Sequence, residues 1–458
     1  MREEVSRGGA FLALRQGVGA LLGALSLLLV ARVIGPEAYG TFALGLATGQ
    51  FVHTALGLGL GAYLVRAPTA GERHRDTAFV YLLLGAALSL TLAPLLALIT
   101  VQVARLDPGA FWSLTLLYAA LPLQLLGGLP LSFLERRLDY RFVALGENLS
   151  QFLGLLVAAP LAHAGLGALA PTLGFLTQQG VLAALAWWRL GEQPRAAWDR
   201  EVFREMAWLG VAYSLNAWLA QARLPVALAL VGRALGAEAV GSLALALRLV
   251  EYATLFKVAV QRVSLAVLGR LQAEPSRFLR ALEEATLLQT LAIWPPLLLL
   301  VALFPWLGPL LFPEWRALEE LLPLLGVAQL LGTPSAFLSL ALAALGRGWD
   351  LVLGTAFSVG FSLLGYIFFL PRMGWGAVGV AEAATALGFP FLYRAVAGAV
   401  GHPCYRLVLG WTLVGALSVA YPLLGPLALV PLGIWLFLPA SRPTWGMLLR
   451  LIAPLWRR

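Results

Sequence analysis

Apolar runs of about 20 residues recur along the whole chain and are separated by short polar segments rich in arginine. A helical run of that length is long enough to cross a bilayer core of roughly 30 Å. The runs predict fourteen membrane spans, numbered here in chain order. Their expected bounds are 10–34, 40–64, 77–103, 110–134, 143–163, 167–188, 206–231, 238–262, 286–311, 318–345, 351–371, 375–393, 407–421 and 424–439. No polar stretch is long enough to fold as a separate soluble domain.

Charge distribution predicts how these spans are oriented. The 458 residues are 60% hydrophobic and 12% charged, with a mean hydropathy of +0.83 and a net charge of +9. With the N-terminus inside, 22 of the 32 Lys and Arg residues fall in inner segments, 5 in outer loops or at the outer end of a span, and 5 elsewhere within spans. Inner loops of membrane proteins carry such an excess, so both termini are expected to be cytoplasmic. The basic charge therefore reflects topology and contact with membrane lipids, and no nucleic-acid partner is expected.

Residues with metal or redox chemistry are few. Cys404 is the single cysteine, and the four histidines are scattered without ligand spacing. We expect no metal site and no cofactor.

An internal duplication organises the chain. Residues 31–47 (ARVIGPEAYGTFALGLA) and 232–248 (GRALGAEAVGSLALALR) match at a constant offset of 201. Six spans separate the copies, an even number, so the two halves share one orientation and are expected to be related by an axis along the membrane normal. The predicted fold is an all-α integral membrane protein with about fourteen transmembrane helices, in two parallel-repeat six-helix lobes around a central cavity. The expected domains are an N-terminal lobe (1–199), a C-terminal lobe (200–400) and a C-terminal helical hairpin with a basic tail (401–458).

The repeat motif itself has a structural explanation. Gly35 can end one helix and Pro36 can begin the next, with Glu37 in the positively polarised first turn.

Polar side chains inside the spans are the candidate functional residues, because such groups usually face a cavity or a partner. The expected substrate-binding residues are Arg15, Gln50, His53, Asn216, Gln221, Arg223, Arg248 and Glu251. The expected ion-coupling residues are Glu251 and Glu382. The 201-residue offset places Arg15 opposite Asn216 and Gln50 opposite Glu251, as expected for two lobes that face one hydrated cavity.

Arg15 is the first candidate for substrate contact, since no acidic residue lies one turn away and a guanidinium can bind a phosphate with two parallel hydrogen bonds. Arg248 and Glu251 are one turn apart, so a structural pair is favoured over direct substrate contact. For Asn216, a bridge between helices and a contact with a sugar remain two open interpretations.

Several segments resemble the polysaccharide exporters of the oligosaccharide flippase family. They are the stretch from ARVIGPEAYG to GAYLVR (31–66), LERRLDYRFVALGE (134–147), GRALGAEAVGSLALALRLVE (232–251), LGRLQAEPSRFLRAL (268–282) and LALAALGR (340–347). The resemblance covers about residues 10–400, and the family shares a superfamily with lipid II flippases and multidrug extruders. It implies a two-lobed transporter whose spans 1, 2, 7 and 8 line a central cavity. Many relatives carry an Asp six residues before the Arg of the second repeat, where this chain has Ala227.

The resemblance also implies a function. The expected activity is translocation of undecaprenyl-pyrophosphate-linked oligosaccharide repeat units across the bacterial cytoplasmic membrane, by alternating access, for surface polysaccharide. The implied partners are this lipid-linked oligosaccharide, membrane lipids and the polysaccharide polymerase machinery. An alternative is a cation-coupled drug or metabolite antiporter of the same superfamily, with Glu251 or Glu382 as the coupling carboxylate. We do not expect an enzyme, because every outer loop is short.

Overall fold

The computed structural model describes residues 17–67, 71–441 and 444, and this part of the chain is helical, with no β-strand. Ten helices within it are long and apolar enough to cross a membrane, and two shorter apolar helices, Arg406–Val419 and Pro426–Phe437, follow. The all-α membrane fold is thereby confirmed. Each predicted span overlaps a helical segment, while the number fourteen stays a prediction. A long apolar run that crosses a bilayer forms an α-helix, because its backbone groups must form their hydrogen bonds within the segment.

The chain divides into two compact units, which are described separately. Unit 1 contains the described residues up to Leu245 together with Leu311–Arg316. Its helices are Gly17–Gly57, with a π-helical segment at Leu27–Ala31, then Leu60–Arg66, Glu72–Ala104, Ala110–Tyr118, Leu121–Arg136, Tyr140–His163, Leu169–Leu190, Arg200–Leu235 and the first part of Ala237–Ala253.

Unit 2 contains Ala246–Leu310 and the described residues from Ala317 onward. Its α-helices are the rest of Ala237–Ala253, then Phe256–Leu271, Pro275–Leu311, Leu318–Ala344, Gly348–Met373, Trp375–Ala383, Phe389–Val400, Arg406–Val419, Tyr421–Leu424 and Val430–Phe437. Short 3₁₀ segments lie at Ala384–Gly388, Pro426–Leu429 and Pro439–Ser441. The predicted lobe boundaries at residues 199 and 400 stay a prediction.

Equivalent glycines of the repeat share one backbone conformation. Gly35 has φ 77° and ψ 172°, and Gly236 has φ 92° and ψ 172°. These angles are not helical and suit a residue without Cβ, so each glycine separates two consecutive helical runs. The predicted role of Gly35 as a stop before Pro36 is confirmed.

Span 2 is interrupted near its end, where the apolar run gave no sign of a break. Leu58 and Gly59 are both left-handed, with φ 45° and 65°, so the helix that ends at Gly57 restarts at Leu60. The break leaves carbonyl groups without helical partners. Tyr81 donates its hydroxyl to the carbonyl of Leu56 at 2.9 Å and so satisfies one of them.

Exposed tryptophans mark several helix ends. Trp112 and Trp349 lie in the first turn of their helices, and Trp188 and Trp306 lie near the ends of theirs; each is at least 71% exposed. Tryptophan is enriched where a span leaves the hydrocarbon core, because its ring is apolar and its N–H is polar. Their placement agrees with helices that end at the membrane surface.

A linker strap, residues 191–199, joins spans 6 and 7 and is bound to unit 1 by polar contacts. Arg75, whose side chain is 8% exposed, pairs with Asp76 and with Glu192. Glu192 also pairs with Arg137, and that hydrogen bond is the main reason why its pKa lies below the usual range. Asp199 caps the helix Arg200–Leu235 by accepting hydrogen bonds from the backbone amides of Glu201 and Val202, 3.0 and 3.2 Å away. The strap therefore fixes the start of span 7 on unit 1.

Candidate functional site

One face of span 2 carries a polar cluster of unit 1 that contains two of the predicted site residues. Gln50 and His53 are three residues apart and so lie on the same side of the helix. The amide nitrogen of Gln50 donates to the Oε1 atom of Gln124, in span 4, at 3.2 Å. The ring of His53 interacts with the main chain of the same Gln124. The structure thus brings two predicted site residues, Gln50 and His53, together around Gln124, which was not predicted.

A second polar contact of unit 1 is formed by hydroxyl groups. Thr100 and Tyr118 share a hydrogen bond of 2.8 Å between their hydroxyl groups, and Thr48 also bonds to the Tyr118 hydroxyl. Tyr118 is fully buried, so its hydroxyl needs these partners. Spans 2, 3 and 4 are therefore joined by hydroxyl groups beside the Gln50 cluster.

Span 7 contributes a side chain that sequence analysis did not select. The indole N–H of Trp218 donates to the carbonyl of Thr54 at 3.0 Å. Asn216 and Arg223 are seven residues apart, which places them on one face of this helix, and each is partly buried and engaged in an interaction. Gln221 is exposed. The predicted residues of span 7 are thus divided between two faces.

In unit 2, the predicted charges are compensated locally. The Nη1 atom of Arg248 lies 3.0 Å from the Oε2 atom of Glu251, and both side chains are about half exposed. The structure contains the Arg248–Glu251 pair that the spacing favours, one helical turn apart. Lys257 lies close enough to Glu251 to interact with it electrostatically.

Glu382 lies where the last long span of unit 2 changes from α-helix to 3₁₀-helix. The buried hydroxyl of Tyr366 donates to its Oε1 atom at 2.9 Å. Thr385 bonds back to the Glu382 carbonyl at 2.7 Å. A carboxylate inside an apolar span is the type of group that the predicted ion coupling would use.

Arg15 lies outside the described residues. Of the other predicted residues, Gln50, His53, Asn216, Gln221 and Arg223 belong to unit 1, whereas Arg248, Glu251 and Glu382 belong to unit 2. Gln124 was missed, although a Gln in an apolar run is the signal that selected Gln50. Trp218 gave no comparable signal, because tryptophan is common in apolar helices. Among the described residues, no group of three or more His, Cys, Asp or Glu side chains could hold a metal ion.

The chemistry of the unit 1 cluster is neutral. Its amide, imidazole and hydroxyl groups each donate and accept hydrogen bonds. Sugar hydroxyls require the same combination, whereas a charged drug or metal ion does not.

Solved structures define the class of this fold. The lipid II flippase MurJ in an inward closed conformation matches with a TM-score of 0.72 and 13% identity, over 98% of this chain and 99% of that one. An inward-facing multidrug resistance MATE family transporter of the MOP superfamily matches with a TM-score of 0.65 and 17% identity, over 84% and 98%. This chain is therefore a polytopic membrane protein with the fold of MOP-superfamily transporters.

The family follows from the sequence itself. A profile of the family described as "Polysaccharide biosynthesis protein" matches residues 29–316, more than half of the chain. The chain belongs to this family, and the resemblance predicted from its motifs is confirmed. It is also 32% identical over 143 residues to the succinoglycan biosynthesis transport protein ExoT of Rhizobium meliloti (strain 1021). That match spans 30% of this chain and 28% of the relative.

Proposed function

We propose that this protein is a flippase that translocates undecaprenyl-pyrophosphate-linked oligosaccharide repeat units across the bacterial cytoplasmic membrane, with both termini cytoplasmic. The family match over residues 29–316 is the observation that carries the proposal. Two similar proteins agree with it, the succinoglycan biosynthesis transport protein ExoT and the lipid II flippase MurJ. The protein then acts in polysaccharide biosynthesis as a transporter and catalyses no chemical step.

The polar groups of the spans supply a route for the substrate. In the neutral cluster, Gln50 and His53 offer hydrogen bonds to the glycan and Gln124 positions them. Arg15, with Arg223 or Arg248, neutralises the pyrophosphate, because a guanidinium binds two phosphate oxygens in parallel. The lipid tail stays in the bilayer while alternating access exposes the glycan on the other side.

The central test is a deletion strain of the source organism. We expect surface polysaccharide to disappear and lipid-linked repeat units to accumulate on the cytoplasmic side, with both restored by the intact gene. Normal display, or loss of display without accumulation, would contradict a flippase.

Arg15→Ala then tests the predicted phosphate contact. We expect display to fall about tenfold at equal protein level, because a desolvated charged contact is worth more than 1.4 kcal/mol. Arg277→Ala is the matched control, since Arg277 forms a 2.8 Å pair with Glu274 one helical turn away and is 67% exposed. Intact display in the Arg15 variant would remove Arg15 from the site.

A cation-coupled drug or metabolite antiporter is the second candidate. The observation in its favour is the intramembrane carboxylate of Glu382, held by the hydroxyl of Tyr366. Dye efflux driven by a proton or sodium gradient in vesicles, and abolished by Glu382→Gln, would favour it. We expect no such efflux.

A further inference from the structure

Two equivalent glycines of the repeat, Gly40 and Gly241, lie against each other in unit 1. A Cβ atom on Gly40 would lie 2.5 Å from the carbonyl oxygen of Ala237 and 2.6 Å from the nitrogen of Gly241. A Cβ atom on Gly241 would overlap the carbonyl oxygen of Pro36. Pro36 and Ala237 are also equivalent at the offset of 201, so the contact is reciprocal. The two copies of the repeat therefore meet main chain to main chain, where spans 2 and 8 begin.

An aromatic contact lies at the same end of span 2. Trp315 belongs to Leu311–Arg316, the segment between spans 9 and 10 that packs within unit 1. Its ring meets Tyr39 edge-on, with centroids 5.6 Å apart, and only 1% of Trp315 is exposed. A tryptophan from the second half of the chain is thus buried beside the glycine crossing.

The other end of span 2 carries a second close contact with the second half. A Cβ atom on Gly59 would lie 2.6 Å from the carbonyl oxygen of Gly210 in span 7, and a Cβ atom on Gly210 would overlap the carbonyl oxygen of Leu58. Tyr63 adds a hydrogen bond of 2.7 Å to Glu205 on the same side. Gly40 and Gly59 are separated by about 28 Å at the helical rise of 1.5 Å per residue. That length is close to the roughly 30 Å of the hydrocarbon core, so the two contacts lie at opposite faces of the membrane.

We propose that the Gly40–Gly241 and Gly59–Gly210 contacts are the outer and inner gates of the transport cycle, and that this structure is closed at both. The inference rests on the proposed alternating-access function, in which the two ends of span 2 must separate from the second half in turn. Glycines suit such a gate, because their backbones touch without interlocking side chains and separate at the cost of dispersion contacts. Trp315 is a positioning residue that stabilises the outer gate.

The test uses two substitutions with opposite expected effects. Gly241→Ala inserts a methyl group into the outer contact and Gly210→Ala inserts one into the inner contact. Gly128→Ala is the matched control, because a Cβ atom there would meet nothing within 4 Å. Each variant is made in full-length protein with Cys404→Ser and a single reporter cysteine, Ala47→Cys, on span 2 between the two contacts.

The readout is labelling of Ala47→Cys by a membrane-impermeant maleimide, applied to intact cells and to inside-out vesicles. We expect Gly241→Ala to raise labelling from outside about threefold and Gly210→Ala to raise labelling from inside by a similar factor, as shifts between two states. The Gly128→Ala control should match the parent on both sides. Trp315→Ala should act like Gly241→Ala and serves if the glycine variant does not fold.

The gates would be overturned if both glycine variants shifted labelling to the same side, or if neither differed from Gly128→Ala. Labelling does not depend on the substrate, so it separates the two proposals. If the two variants shift labelling in opposite directions but deletion of the protein leaves polysaccharide display unchanged, the gate proposal stands and the flippase proposal is rejected.

Discussion

The two units use ion pairs in opposite ways. In unit 1 the pairs Arg73–Asp199, Arg75–Glu192, Arg137–Glu192 and Arg189–Asp139 join segments that are far apart in sequence. In unit 2 the pairs Arg248–Glu251, Arg277–Glu274 and Arg347–Asp350 each lie within one helical turn. A long-range pair holds two segments together, whereas a local pair only balances charge on its own helix.

The polar groups inside the membrane differ between the two units in their charge. Neutral groups of unit 1 bond between helices, as Gln50 does to Gln124. Unit 2 places the carboxylates of Glu251 and Glu382 within apolar spans, each with a partner nearby. Neutral bonds between spans contribute about 0.6 kcal/mol each, while an unpaired charge costs a few kcal/mol. Unit 1 therefore relies on neutral hydrogen bonds between its spans, whereas unit 2 contains carboxylates inside its spans.

Breaking the Arg248–Glu251 pair should have the largest effect. Arg248→Ala removes the 3.0 Å partner of the Glu251 carboxylate and leaves its electrostatic contact with Lys257, so we expect polysaccharide display to fall about tenfold, equivalent to roughly 1.4 kcal/mol. In the double variant Arg248→Ala/Glu251→Ala the carboxylate is removed together with its partner, and most of the display should return. The measurement is display per unit of membrane-inserted protein.

The double variant decides between the two roles of Arg248. If it exports as poorly as Arg248→Ala alone, the guanidinium contacts the substrate and the pair is not merely structural.

The sequence predicts where the helices lie, but it does not predict the breaks within spans 2 and 8. Hydropathy locates the spans because an apolar run in a bilayer must be helical. The break at Leu58 and Gly59 depends on donors from elsewhere in the fold, such as the Tyr81 hydroxyl on the Leu56 carbonyl, and no local pattern contains that information. The helix expected over 238–262 likewise ends at Ala253 and restarts at Phe256.

The candidate site was predictable in kind but not in arrangement. A polar side chain in an apolar run indicates a buried partner or a cavity, and this rule found Gln50 and His53. It cannot say which helix faces them, so the partnership with Gln124 came from the structure. The sequence likewise did not predict the glycine contacts. It identifies Gly40 and Gly241 only as residues of the repeat, and the structure shows that their backbones touch.

Separating the two roles of Gln50 should have an intermediate effect. Gln50→Leu and Gln124→Leu remove the same hydrogen bond, so each should destabilise the protein by about 0.6 kcal/mol and lower its melting temperature equally. Because Gln50 is proposed to bind the glycan, Gln50→Leu should also reduce display about threefold beyond the Gln124 variant. Equal display in the two variants would make the bond purely structural.

Removing a carboxylate from the linker strap should have the smallest effect, and it tests the contrast in ion pairs directly. Glu192→Gln weakens pairs with Arg137 and Arg75, whereas Glu274→Gln weakens only the local pair with Arg277. Because Glu192 is partly exposed, we expect its variant to lose about 1 kcal/mol at pH 7 and the Glu274 variant to lose less than half of that. Thermal unfolding in detergent measures both.

The pH dependence of that loss of stability follows from the direction in which the pKa of Glu192 is shifted. Hydrogen bonding to Arg137 lowers the pKa of Glu192 from its ordinary value of 4.5 in the folded protein. The stability that Glu192 contributes is therefore fully present above pH 4.5 and disappears as the pH falls through the lower folded pKa. The melting temperatures of wild type and Glu192→Gln should converge as the pH falls below the folded pKa of Glu192, and a gap that persists at the lowest pH at which the protein stays folded would mean that the carboxylate stabilises the strap by packing and not by its charge.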